Sequence, residues 1–166
     1  MTTINSNQAH RFIAVFLLLT LLIFKLPGDT SELSIGAGIS LDIAPYGIEQ
    51  TFLTLYSSYT PGNVPWLMAR ASFSFNRSAI IAGFPLCLIV PLSNWEDGPR
   101  IEAWMGGGVE YFHSRELSAF FPMVSAGGRL MLRNAYLDMP IESVFRTDKN
   151  DMDSSIGFST GYIFKF

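Results

Sequence analysis

The sequence predicts an all-β protein in which eight antiparallel strands, in up-and-down order, close into a transmembrane β-barrel preceded by a signal peptide. Three observations predict it. From Ser34 onward the apolar residues recur with a period of two, not 3.6. The alternating stretches run to about ten residues or more, where globular strands average about 5 to 6 and membrane-crossing strands need about 9 to 11. The polar side of the alternation is made of Gly and Ser with ionisable residues set among them.

Composition agrees with this. The chain has 166 residues, 49% hydrophobic and 15% charged, with a mean hydropathy of +0.29, which is apolar for one soluble domain. Its one continuous apolar run is Phe12 to Phe24, FIAVFLLLTLLIF. Thirteen residues fall short of the about 20 that a membrane helix needs. An acid-free polar stretch and Arg11 precede the run, and Lys25 and Pro27-Gly28 follow it. That is the order of an export signal, so residues 1–28 read as a signal peptide and 29–166 as the barrel, with an uncleaved anchor as the alternative. The net charge is −3 and the lysines are only Lys25, Lys149 and Lys165, which leaves no basic patch for nucleic acid. Cys87 stands alone, excluding an intrachain disulfide and a multi-thiolate metal site.

The elements follow in order. Ser34–Ile43 places Ile35, Ala37, Ile39, Leu41 and Ile43 opposite Ser34, Gly36, Gly38, Ser40 and Asp42. Glu49–Thr60 reads as a strand by its β-branched and aromatic content. After the breakers of PGNVP, Trp66–Asn76 alternates again. Ala79–Leu92 is apolar on both faces and carries Pro85 and Pro91, so it must be irregular where a ladder N–H is missing. Arg100–Phe112 and Ser118–Leu132 restore the alternation, Arg133-Asn134 turns the chain, and Ala135–Thr147 follows. The last strand, within SSIGFSTGYIFKF, sets Phe158, Tyr162, Phe164 and Phe166 against Ser155, Gly157, Ser159, Gly161 and Lys165.

The polar face decides which side points in. Its ionisable members are Asp42, Arg70, Arg100, Glu102, Glu110, Arg129, Arg133, Asp138, Glu142, Arg146 and Lys165, six cations against five carboxylates. A solvated surface would carry Lys, Glu and Thr in quantity. Small residues with Arg and carboxylates suit a narrow lumen, which eight strands leave just wide enough for side chains to fill. Buried there, these charges must pair, since an unpaired one would cost several kcal/mol. Balanced signs and a narrow bore point to a plug, with a narrow channel as the lesser alternative. Aromatics near strand ends, Tyr46, Tyr59, Trp66, Phe75, Trp95, Tyr111, Phe112, Phe120, Phe121 and Tyr136, suggest interfacial girdles.

On strand number, alternation and the ending GYIFKF, residues 34–166 resemble the small eight-stranded outer-membrane β-barrel proteins, such as the OmpA transmembrane domain and OmpX-like proteins. The resemblance implies an outer membrane of a diderm bacterium, with both termini periplasmic and a monomeric barrel in contact with lipid and lipopolysaccharide. It implies that Phe158, Tyr162, Phe164 and Phe166 form the ending that the outer-membrane assembly machinery recognises. The outer loops are then expected near residues 44–47, 76–78, 113–117 and 148–151, all short, with no peptidoglycan-binding domain expected after the barrel.

No cofactor or metal site is expected. His113-Ser114-Arg115-Glu116, with Glu110 nearby, is the one cluster holding His, Ser and carboxylate, and a lipid A acyl hydrolase or acyltransferase at the outer rim is the alternative function it raises. Neighbours on a strand face opposite ways, so a polar loop is the preferred reading. Asp148, Asp151 and Asp153 raise contact with divalent cations that bridge lipopolysaccharide, but they lack the spacing and closing Glu of a calcium loop, so a solvated turn is the preferred reading. Met105-Gly-Gly-Gly108 has no helix after it to cradle phosphate, and its glycines read instead as relief of crowding where the wall bends or a large lumen side chain leans across. Cys87 reads as an apolar filler. The expectation is a non-enzymatic barrel with a filled polar lumen and a structural or surface-interaction role.

Overall fold

The structure, a computed structural model, describes residues 31–44, 47–94, 98–147 and 150–166. The signal peptide expected at 1–28, Tyr46, Trp95, Asp148 and Lys149 lie outside the described residues. Eight strands follow one another: β1 (Glu32–Ala44), β2 (Gly47–Thr60), β3 (Leu67–Phe75), β4 (Ala79–Asn94), β5 (Arg100–Ser114), β6 (Ser118–Leu132), β7 (Ala135–Arg146) and β8 (Asp151–Lys165). Each pairs antiparallel with the next, and β1 pairs with β8 from Glu32↔Lys165 to Ile43↔Ser154, closing the barrel. Closure leaves no unpaired edge, the condition for a sheet to stand in hydrocarbon.

The prolines mark the interruptions. β3 and β4 pair at Leu67–Ala69 and again at Ser72–Phe75, but not at Arg70 and Ala71, opposite Pro85 and Phe84 respectively. Pro85 has no N–H to donate there. Pro91 sits beside the β4–β5 register shift, a second irregularity of the fourth strand. In β7, which the sequence presents as regular, Met139 and Pro140 drop out of the ladder to β8 for the same reason.

The wall is apolar outside. Ile39, Leu53, Leu86, Val90, Met105, Val124, Leu137 and Phe158 all present exposed side chains, from 45% for Ile39 to 65% for Met105. Phe158, Tyr162, Phe164 and Phe166 lie on the same outer surface, with the Tyr162 and Phe164 rings 5.0 Å apart. Trp66, Phe75 and Phe120 also face outward near strand ends. Phe112, Phe121 and Tyr136 do not belong to that girdle: all three point into the lumen, where Phe112 and Phe121 flank Arg146 and Tyr136 lies under Arg129. Strand-end position alone does not show on which side of the pleat a ring lies.

Candidate functional site

The chemistry-bearing side chains of the barrel are gathered in its lumen, in three layers. The first lies at the end where β1 begins and β8 finishes. Arg100 donates from Nη1 and Nη2 to the two oxygens of Glu32, at 3.0 and 2.5 Å. Its Nε lies 3.0 Å from Glu102, and Lys165 reaches Glu32 at 3.4 Å. Lys165 is more than half exposed, so it closes the rim of the lumen and is not enclosed by it. Glu32 is the partner that sequence reasoning missed, because it precedes the first clear alternation.

The middle layer is a plug. Asp138 of β7 accepts from Arg70 Nη1 at 2.7 Å, Arg129 Nη2 at 3.2 Å and Trp104 Nε1 at 3.2 Å. Arg129 also donates to Ser58 Oγ at 3.1 Å. The Arg70 guanidinium lies 3.9 Å from the centre of the Trp104 ring and 5.7 Å from that of Tyr56, and Arg129 lies 4.9 Å from that of Tyr136. Two desolvated cations thus share one carboxylate, and aromatic faces meet much of their remaining surface. Trp104 packs further against Met68, Cys87 and Ile89, so Cys87 is an apolar filler in the lumen wall.

Glycines make room for these rings. A Cβ at Gly127 would stand 2.6 Å from the Trp104 ring, and one at Gly157 would meet the Tyr56 hydroxyl. At Gly106 and Gly108 the obstruction would be the β4 backbone at Leu86 and Phe84, so those glycines mark close approach of two strands.

The third layer lies at the end where β1 connects to β2 and β7 to β8. Asp42, Glu110, Glu142 and Asp153 line a cavity there with Ser40, Ser74, Phe52 and Arg146. Arg146 reaches Asp153 at 3.2 Å and lies 4.8 and 4.7 Å from the ring centres of Phe112 and Phe121. Glu142 accepts from Ser125 Oγ at 3.5 Å. Glu110 is 8% exposed and has no hydrogen bond or ion pair among the described residues.

Arg133 does not belong to the lumen. It sits exposed in the β6–β7 turn with φ of 56°, where the chain reverses and the alternation of faces no longer applies. Removing it and adding Glu32 and Asp153 leaves five cations, Arg70, Arg100, Arg129, Arg146 and Lys165, against seven carboxylates. The near balance read from the sequence becomes an acidic excess, concentrated in the third layer.

In the His113 cluster the histidine pairs with a serine of the next strand, not with Ser114. His113 Nδ1 lies 2.6 Å from Ser118 Oγ, and its ring stacks on Tyr111. Ser114 Oγ accepts from the backbone N–H of Glu116 and Leu117, holding the β5–β6 turn. Glu110 points to the lumen, the other side of the wall. Among the described residues no three His, Cys, Asp or Glu side chains converge as a metal site.

No family model matches the chain, and no curated relative is found. Solved structures do match it. The N-terminal β-barrel domain of Pseudomonas aeruginosa OprF is 13% identical with a TM-score of 0.53, over 83% of this chain and all of that one. Neisserial surface protein A (NspA) is 12% identical with a TM-score of 0.51, over 82% of this chain and 97% of that one. The fold is that of small eight-stranded outer-membrane barrels. At such identity the likeness is one of architecture, so the activity must be argued from the lumen and the wall.

Proposed function

We propose that the chain is a monomeric, integral outer-membrane barrel with a filled lumen, serving as a structural or surface element of a diderm envelope. One observation carries this reading. The wall is apolar outside and the interior holds an ion-paired plug, the reverse of a water-soluble barrel. An apolar belt around a closed barrel calls for hydrocarbon. The Asp138 plug crosses the bore from β3, β5, β6 and β7, which argues against conduction. By the family's orientation the β1–β2, β3–β4, β5–β6 and β7–β8 connections face the exterior, and Phe166 closes the ending read by the assembly machinery.

Expression with membrane fractionation tests the compartment: the chain is expected in the outer membrane, with a heat-modifiable shift in mobility. Recovery as a soluble protein would overturn the reading. Planar bilayers containing the folded chain are expected to show no reproducible conductance. Lipid-modifying activity at the outer rim is disfavoured because His113 lies on the face opposite Glu110 and Ser114 is occupied in holding the β5–β6 turn. It is tested by lipid A acylation in cells carrying the wild type and His113→Ala: an acyl change lost in the variant would establish it. Deletion of Phe166 is expected to impair assembly in cells, and undiminished outer-membrane yield would remove that role.

A further inference from the structure

We propose that the third layer of the lumen is a binding site for one partly hydrated divalent cation of the Mg²⁺ or Ca²⁺ class, held among Asp42, Glu110, Glu142 and Asp153. The site needs only the barrel, so it does not rest on the compartment proposed above.

The cavity there is about 50 Å³, where a single water needs about 10–15 Å³ in the same measure. It therefore has room for an ion with part of its water shell. Four carboxylates and one guanidinium line it. Arg146 bonds to Asp153, is flanked by Phe112 and Phe121 and also faces Glu110 across the cavity, and Arg70, the next cation toward the middle of the barrel, is engaged by Asp138 while also facing Glu142. Glu110, more than nine-tenths buried, is aimed into the cavity and makes no hydrogen bond or ion pair among the described residues. A carboxylate so placed is costly unless a cation or proton meets it.

The donors decide the class. Carboxylate and hydroxyl oxygens, from the acids and from Ser40, Ser74 and Ser155, select hard cations, and no imidazole or thiolate lines the cavity. Since no three carboxylates converge on one point, the ion keeps several waters and is held partly through them. Access is from one side. A mouth of about 630 Å³, to which Glu49, Glu116 and Asp151 add negative charge, opens above the cavity, and the Arg70–Asp138–Arg129 plug lies below. An acidic funnel with low-dielectric walls concentrates cations.

The test titrates Mn²⁺ into the full chain folded in detergent micelles at constant ionic strength, with free Mn²⁺ read by electron paramagnetic resonance. One saturable site is expected, displaced by Mg²⁺ or Ca²⁺. Glu110→Gln and Glu142→Gln should each weaken it by about tenfold or more, because affinity follows the number of charged ligands. Asp42→Asn, at the open end of the barrel, should weaken it while leaving the fold intact. Glu32→Gln, at the opposite end, should leave binding unchanged. The heat-modifiable shift confirms folding of each variant. Non-saturable uptake, displacement by Na⁺ at matched ionic strength, or wild-type binding by folded Glu110→Gln would each overturn the proposal.

Discussion

The middle of the lumen and its loop end are built from the same residue types and reach opposite electrostatic outcomes. In the middle, one carboxylate serves two guanidinium groups and an indole, and the aromatic rings take up much of what remains. At the loop end, four carboxylates share a cavity with one guanidinium, and Glu110 makes no hydrogen bond or ion pair among the described residues. The difference shows that pairing inside a narrow barrel is set layer by layer. Neutrality summed over the whole face conceals it, because charges two layers apart along the bore are too far to pair directly.

The largest effect should come from breaking the middle layer. Asp138→Ala leaves Arg70 and Arg129 buried without their shared counter-ion, and is expected to cost about 3–5 kcal/mol in urea unfolding followed by Trp fluorescence. A loss under about 1 kcal/mol would show that water reaches the plug. Gly127→Val in the same layer forces a side chain into the Trp104 ring, with an expected cost of about 1–3 kcal/mol by the same measurement.

The loop end should respond with the opposite sign. Glu110→Gln, measured in chelator, is expected to raise stability by about 1 kcal/mol, since a neutral amide of the same shape replaces a buried charge that makes no ion pair among the described residues. Destabilisation there would erase the contrast between the two layers. The smallest effect belongs to the rim: Lys165→Gln should change stability by about 0.5 kcal/mol or less in low salt, and by less at high ionic strength.

Much of the fold was legible because a half-buried strand writes its two faces into alternate residues. Ser34, Gly36, Gly38, Ser40 and Asp42 do point inward, as do Arg100, Glu102, Trp104 and Glu110. The tight turn at Arg133-Asn134 was legible too, but the alternation had assigned Arg133 to the lumen as though the strand continued. Pro140 interrupts the β7–β8 ladder inside a stretch whose alternation is otherwise regular, so side-chain pattern alone gives no sign of it.

Partners within the lumen could not be read in this way. Arg70 and Asp138 are 68 residues apart, as are Glu32 and Arg100. Parity says that each of them faces inward, while the stagger of the closed sheet sets which ones meet at the same height. The sequence by itself determined the strand count, the apolar exterior and the polar interior, since these follow from local periodicity along each strand. Only the tertiary structure decided that Asp138 bonds to two arginines while Glu110 makes no hydrogen bond or ion pair among the described residues, because barrel closure fixes the height of every strand against strands it does not adjoin.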